Sequence, residues 1–221
     1  LVKPAQRSHY VIVEGAIGVG KTTLVRRLTE SLGALSVFEV FEENPFLKDF
    51  YSDRKRYAFQ TEMFFLLERY RQLESLSQPD LFSPYMIADY LFEKSRLFAR
   101  ETLREDEFAL FDQMFHILSR NVPRPDLVFY LTAPVDVLMK RIATRGRPYE
   151  RSIEPAYLEN LGRIYEEHFA RQVDVPVVTV DTTHLNFATD DDAVAVVLDL
   201  IHRPPQGRIQ IPGPVQASLA F

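Results

Sequence analysis

The run "HYVIVEGAIGVGKTT", residues 9–23, constrains this chain more than any other stretch. Tyr10 to Glu14 is apolar, rich in β-branched residues and of strand length. Gly15, Gly20, Lys21 and Thr22 then fit G-x-x-x-x-G-K-[ST] without a mismatch. A helical pattern follows, with Leu24, Leu28 and Leu32 four apart and Gly33 as a stop. Strand, glycine turn and helix in this order form a cradle for phosphate. The glycines let backbone N–H groups turn inward. The helix start adds its dipole and free N–H groups. Lys21 is expected to reach β- and γ-phosphates, and the Thr22 hydroxyl to take Mg2+. The expected phosphate-contacting set is Gly15, Ala16, Ile17, Gly18, Val19, Gly20, Lys21, Thr22 and Thr23.

The rest of the chain alternates. Strands are expected at 10–14, 35–40, 83–90, 124–131 and 176–181. Between them come a short helix capped by Asn44 with Pro45 first, and a long helix from Tyr57 to about Ser77. Further helices are expected at 91–104, 106–120, 134–146, 154–172 and 189–203. This alternation implies an α/β fold, a five-stranded parallel sheet with helices on both faces. Residues 1–205 read as one domain. Residues 206–221 read as a Pro-rich C-terminal tail, an arm on the surface or without order.

Bulk composition removes several classes. The formal net charge is −5, which does not favour nucleic acid as a partner. There is no Cys, so disulfides and thiolate metal sites are excluded and a reducing, cytoplasmic setting is expected. The five His show no ligand spacing. No apolar run has membrane-spanning length, and "LVKPAQRSHY" has no signal-peptide h-region, so no membrane association is expected. "MFFLL" (63–67) is apolar on nearly every side of its helix, which points to burial from two directions and to a homodimer.

A triphosphate needs an acceptor. The D-x-x-G and N-K-x-D signatures of GTPases are absent, and "YMIADY" ends in Asp-Tyr rather than Asp-Glu. A small kinase remains, and "KRIATRGRPYER" supplies the arginines it needs: Arg141, Arg145, Arg147 and Arg151. Arg141 and Arg145 are one turn apart. Arg147 follows Gly146, where a lid can fold over phosphate and stabilise transferred charge.

At this point the chain resembles the deoxynucleoside kinase family, in particular its bacterial purine-directed branch. The resemblance covers about residues 9–203 and rests on "EGAIGVGKTT", "EVFEENPFLKDFY", "FQTEMFFLLERYRQ", "IADYLFEKSRLFA", "DLVFYL" and "RGRPYER" followed by "YLENL". It implies an ATP-dependent, Mg2+-dependent transfer to the 5′-hydroxyl of a deoxynucleoside. It implies that Glu39 approaches that hydroxyl and helps remove its proton, while Lys21, Arg141, Arg145 and Arg147 hold charge. By the same resemblance Gln60 reads the base, Tyr51 and Glu150 bind the sugar 3′-hydroxyl, and Arg69 lies near the base. Phe59, Phe64 and Phe92 are aromatic candidates for stacking on it, or plain core.

One place departs from the family. Much of it has Asp or Glu, then Arg, then Ser or Thr; here stand Asp89, Tyr90 and Leu91. Asp89 can still serve near Mg2+. Lys94 or a lid arginine is the candidate to replace the missing charge, and Ser95 stands where an acidic base-reading residue was expected. A nucleoside monophosphate kinase of the thymidylate type is the alternative. Its acceptor phosphate needs an arginine beside it, often directly after the Asp, and Tyr90 in that place argues against it. A catalytically idle binding protein on the same fold is a third reading, disfavoured by the intact loop, lid and Glu39.

Overall fold

The computed structural model describes residues 8–75 and 83–211. Strands β1 (His9–Gly15), β2 (Leu35–Val37), β3 (Tyr85–Ala88), β4 (Leu127–Thr132), β5 (Val177–Asp181) and β6 (Arg208–Ile211) form one sheet. Their order is β2-β3-β1-β4-β5-β6, and every pairing is parallel. Helices α1 (Lys21–Leu32), α2 (Leu47–Ser52), α3 (Arg54–Ser75), α4 (Lys94–Thr102), α5 (Glu105–Leu118), α6 (Val135–Arg145), α7 (Pro155–Arg171) and α8 (Asp191–His202) complete the described residues, with short 3-10 turns.

The strands are apolar on both faces because both are covered. Val11, Val13, Leu127, Phe129, Leu131, Val178 and Val180 point into a core shared with Leu24, Val25 and Leu28 of α1 and with Val194 and Val197 of α8. Their neighbours Tyr10, Ile12, Val128, Tyr130 and Val177 point the other way, toward Leu66 of α3, Ala99 of α4 and Phe111 of α5. This is the period of two that a strand imposes. Helix α7 serves both cores: Tyr157, Leu158 and Leu161 join the first, Tyr165 and Phe169 the second. Tyr130 and Phe169 meet at 4.7 Å between ring centroids.

Several sequence expectations change. The sheet has six strands, not five. "RIQI" pairs in register with β5, Val177 against Arg208, so part of the presumed tail is an edge strand. Residues 212–221 and the expected helix end near Ser77 lie outside the described residues. Strand β2 stops at Val37 rather than residue 40, because the Glu39 N–H turns to the Asp89 carboxylate (2.8 Å) instead of a ladder partner. Asn44 does not cap α2, which starts at Leu47. It is buried, accepting from Phe46 N (3.0 Å) and donating to Thr61 O (3.2 Å). Helix α3 begins three residues early, where Asp53 Oδ1 accepts the Arg56 N–H. In "MFFLL" only Leu66 is fully buried, and Leu67 is 36% exposed.

The sheet order reverses direction beside β1, with β3 on one side and β4 on the other. Ligands of open parallel sheets bind outside the carboxyl ends of strands at such a switch point. The glycine loop, Glu39 and Asp89 all follow these carboxyl ends.

Candidate active site

The loop from Gly15 to Gly20 follows β1 and turns on glycines. Gly15 has φ +149°, and a Cβ there would lie 2.4 Å from Leu131 O in β4. Gly18 has φ +85°, with Ile142 and the Leu138 carbonyl of α6 against it. These approaches exclude a side chain. Lys21 donates to Gly15 O (2.8 Å) and Ala16 O (3.1 Å), so it lies across the loop. Loss of hydration pulls its pKa down to about 8, and nearby Lys94 pulls the same way.

Glu14, just before the loop, is fully buried and was not singled out in the sequence. Its carboxylate accepts from Gly15 N (2.9 Å), Leu91 N (2.8 Å) and Tyr165 OH (3.1 Å). It thereby fixes the loop to the segment after β3 and to α7. Its only early signal is a charge ending an apolar strand.

Glu39 lies beside the loop. Arg69 Nε reaches Oε1 at 3.0 Å and Nη2 also donates to it, while Lys94 Nζ donates to Oε2 at 2.8 Å. Burial alone would raise this carboxyl; the two cations, Lys94 first, outweigh it and hold it well below the usual carboxylate range. Arg69 also donates to Ser95 Oγ (2.6 Å). Asp89 accepts from Thr22 Oγ1 through Oδ2 (2.8 Å) and from Glu39 N through Oδ1 (2.8 Å). Burial and then Glu39 push its pKa up.

Tyr90 is fully buried, with its hydroxyl donating to Gln72 Oε1 (2.7 Å). Of the two candidates for the charge missing at position 90, Lys94 and a lid arginine, Lys94 is the one that donates to Glu39.

Two cavities meet at Gly18, Lys21, Thr22 and Arg145. The first is lined by Glu39, Tyr51, Arg69, Asp89, Lys94, Arg147 and Glu150, and also by Phe41, Phe50, Phe65, Phe98, Tyr157, Thr61 and Glu62. The second runs along the other side of the loop, past Val19, Gly20, Thr23, Lys140, Arg141, Thr144, Leu185 and Phe187. Ala16 lines neither.

The arginines divide between these spaces. Arg145 grips Glu150 with Nε (3.1 Å) and Nη2 (2.5 Å), and Arg147 reaches the same carboxylate at 3.4 Å while covering the Phe41 ring at 4.2 Å. Arg141 instead donates to Thr182 Oγ1 (3.1 Å), Thr182 O (2.6 Å) and Leu185 O (3.1 Å), bracing the loop after β5. Arg151 is exposed and lines neither cavity.

Gln60 is not brought to the site. It is exposed and lines neither cavity. It lies nine residues before Arg69, which at ~100° per residue is the opposite side of the helix. Glu62, seven before Arg69, returns to the same side and enters the cavity. Helical phase taken from Arg69 is the signal that finds it. Phe59, Phe64 and Phe92 also do not line the cavity; Phe92 stacks on Phe115 in the core.

The Thr22 hydroxyl and Asp89 carboxylate offer adjacent hard oxygen donors. Among the described residues no cluster of three or more His, Cys, Asp or Glu could hold a metal by itself. That donor set fits Mg2+, which keeps waters and substrate phosphates as ligands. No helix among the described residues is long and apolar enough to cross a membrane.

The family model described as deoxynucleoside kinase matches residues 11–203. The deoxyguanosine kinase of Bacillus subtilis (strain 168) is 38% identical over 183 residues, covering 80% of this chain and 88% of that one. The deoxyadenosine/deoxycytidine kinase of the same organism is 24% identical, covering 88% and 92%. A solved deoxyadenosine kinase from M. mycoides with bound dCTP superposes with a TM-score of 0.76 at 23% identity, covering 88% of this chain and 99% of that one. The chain belongs to the deoxynucleoside kinase family, phosphotransferases that act on a hydroxyl group.

Proposed function

We propose that this kinase moves the γ-phosphate of ATP to the 5′-hydroxyl of a purine deoxynucleoside. The observation that carries this reading is the pair of cavities meeting at Lys21 and Thr22, with Glu39 on one side only. The open space along the glycine loop takes the triphosphate. The other, with its aromatic lining, takes the nucleoside.

Thr22 and Asp89 would hold Mg2+, which supplies charge neutralisation on the β- and γ-phosphates when bound. Lys21 leaves its two carbonyls for the phosphates, a short swing within its reach. Glu39 accepts the hydrogen bond of the 5′-hydroxyl and aims that oxygen at the phosphorus. Being firmly ionised, it positions the hydroxyl first and takes the proton late, which suits a loose phosphoryl transfer. Tyr51 and Glu150 lie where the sugar would sit. Arg145 and Arg147, from the end of α6 and the turn after it, face the transferred group.

An uncharged acceptor is favoured over a nucleoside monophosphate. Arg69 and Lys94, the cations beside Glu39 in the acceptor cavity, both already face that carboxylate. A phosphate on the acceptor would have to break such a pair. The relative named deoxyguanosine kinase supports a purine.

A homodimer and a cytoplasmic setting complete the proposal. Leu110 and Ile117, seven apart on α5, are 53% and 57% exposed, and Leu67 on neighbouring α3 is also exposed. These side chains present apolar surface suited to a second copy. The cysteine-free chain suits a reducing compartment.

The test is a phosphorylation assay across the four deoxynucleosides and their monophosphates, with ATP and Mg2+. Transfer to a purine deoxynucleoside is expected. Transfer to monophosphates alone would replace this reading with the monophosphate kinase. Light scattering on the same sample should give twice the chain mass.

A further inference from the structure

We infer that Glu62 reads the base, and that its carboxylate selects guanine over adenine; this rests on the kinase reading above. Glu62 is 3% exposed, yet it lines the acceptor cavity. One oxygen, Oε1, accepts from Thr102 Oγ1 of α4 at 3.1 Å. Oε2 has no hydrogen-bond partner among the described residues. A buried carboxylate half-satisfied beside an aromatic cavity is costly unless a ligand completes it.

The ligand must donate. A carboxylate is acceptor-only and can take two parallel donors. Guanine presents adjacent donors on its pairing edge, N1–H and the N2 amino group. Adenine presents one donor beside the bare N1, whose lone pair would face the carboxylate oxygen. Cytosine has the same mismatch, and thymine has a single donor between two carbonyls. Among the four bases, guanine alone fits an ionised Glu62. Phe65, Phe98 and Tyr157 line the same cavity and offer rings for stacking. A side-chain amide would accept adenine instead, with one donor and one acceptor. Sequence reading looked for such an amide at Gln60 and for an acid at Ser95. The acid stands at Glu62.

Burial also raises the Glu62 pKa to about 7, the effect expected of a carboxyl waiting in an apolar cavity. Two donors from the base favour the ionised form and pull it back down.

The experiment measures kcat/KM for deoxyguanosine, deoxyadenosine and deoxyinosine, with ATP and Mg2+, in the native enzyme and in Glu62→Gln. Deoxyinosine keeps N1–H and lacks the N2 amino group. The native enzyme is expected to prefer deoxyguanosine over deoxyinosine by about tenfold or more, since a buried acceptor is left unmade. In Glu62→Gln the deoxyguanosine-to-deoxyadenosine ratio is expected to fall by about tenfold or more. An unchanged ratio in an active Glu62→Gln overturns the inference. Should that variant not fold, equal kcat/KM for deoxyguanosine and deoxyinosine in the native enzyme overturns it instead. An enzyme that phosphorylates no nucleoside overturns the kinase reading and this inference with it; one that phosphorylates them without base preference overturns this inference alone.

Discussion

Thr22 Oγ1 donates to Asp89 Oδ2 across 2.8 Å, which ties the first turn of α1 to the residue after β3. The same carboxylate holds Glu39 N through its other oxygen. One side chain therefore sets the spacing between the phosphate loop and the acceptor carboxylate. Asp89→Asn keeps an oxygen but loses the charge. Turnover is expected to drop by about 100-fold or more, with nucleoside KM changed by no more than about threefold. Initial rates against Mg2+ concentration check it, because the half-saturating Mg2+ should rise as well. An unchanged Mg2+ dependence would take Asp89 out of metal binding.

Lys94 and Tyr90 make a contrasting pair. Lys94→Met keeps the apolar stem near Phe98 and removes the cation from Glu39. We expect turnover to fall by about tenfold or more, and stability by about 3 kcal/mol, because Glu39 loses half of its buried neutralisation. Tyr90→Phe loses one hydrogen bond to Gln72 and should cost only about 1 kcal/mol. Its activity should stay near the native level. Activity lost in Tyr90→Phe and kept in Lys94→Met would reverse the assignment.

Gly15 and Gly33 both have positive φ, but only one is crowded. A Cβ at Gly15 meets Leu131 O at 2.4 Å, whereas nothing lies within 4 Å of one at Gly33. Gly33→Ala is expected to cost about 1 kcal/mol, the price of its left-handed backbone. Gly15→Ala should cost about 3 kcal/mol or more, adding a backbone clash to strain, and should also abolish ATP binding. Urea denaturation and nucleotide titration check the two effects. Equal losses at both glycines would mean that β4 gives way easily.

Stability should also respond to pH through Glu62. Its folded-state pKa, about 7, lies above the ordinary 4.5. The folded protein thus holds this proton more tightly than the unfolded chain does. The contribution is full below pH 4.5 and is lost as pH rises through 7. Arg69, Lys94, Thr102, Glu39 and Tyr157 surround the carboxyl, and the burial effect outweighs them. Between pH 4.5 and pH 8 the stability of Glu62→Gln should gain about 3 kcal/mol relative to the native protein. Denaturation at both pH values without nucleoside measures this. A pH-independent difference would mean that Glu62 titrates normally.

Much of this was legible in the chain. The strand, glycine loop and first helix follow from residues adjacent in sequence, and so does the helix end at Gly146. Strand β6 was hidden because "RIQI" is four residues long and lies among prolines and glycines. Glu39, Arg69 and Lys94 could each be named from the chain, but not their pairing, which joins positions 30 and 55 residues apart. Gln60 and Glu62 show a different gap. Both sit on one helix, and only the angle relative to Arg69 tells which enters the cavity. Composition and spacing identify a helix, but its rotation is set by packing.

The cation at Lys94 has a consequence for how such chains are sorted. Judged column by column, Tyr90 marks a decayed enzyme, one that has lost an essential letter. Judged by the volume around Glu39, two cations are in place. The field at a reacting oxygen depends on where a charge ends, and a lysine can reach the same place from one turn further along. A census of active members kept by the residue at position 90 would discard this chain. A census kept by the charge within reach of Glu39 would retain it.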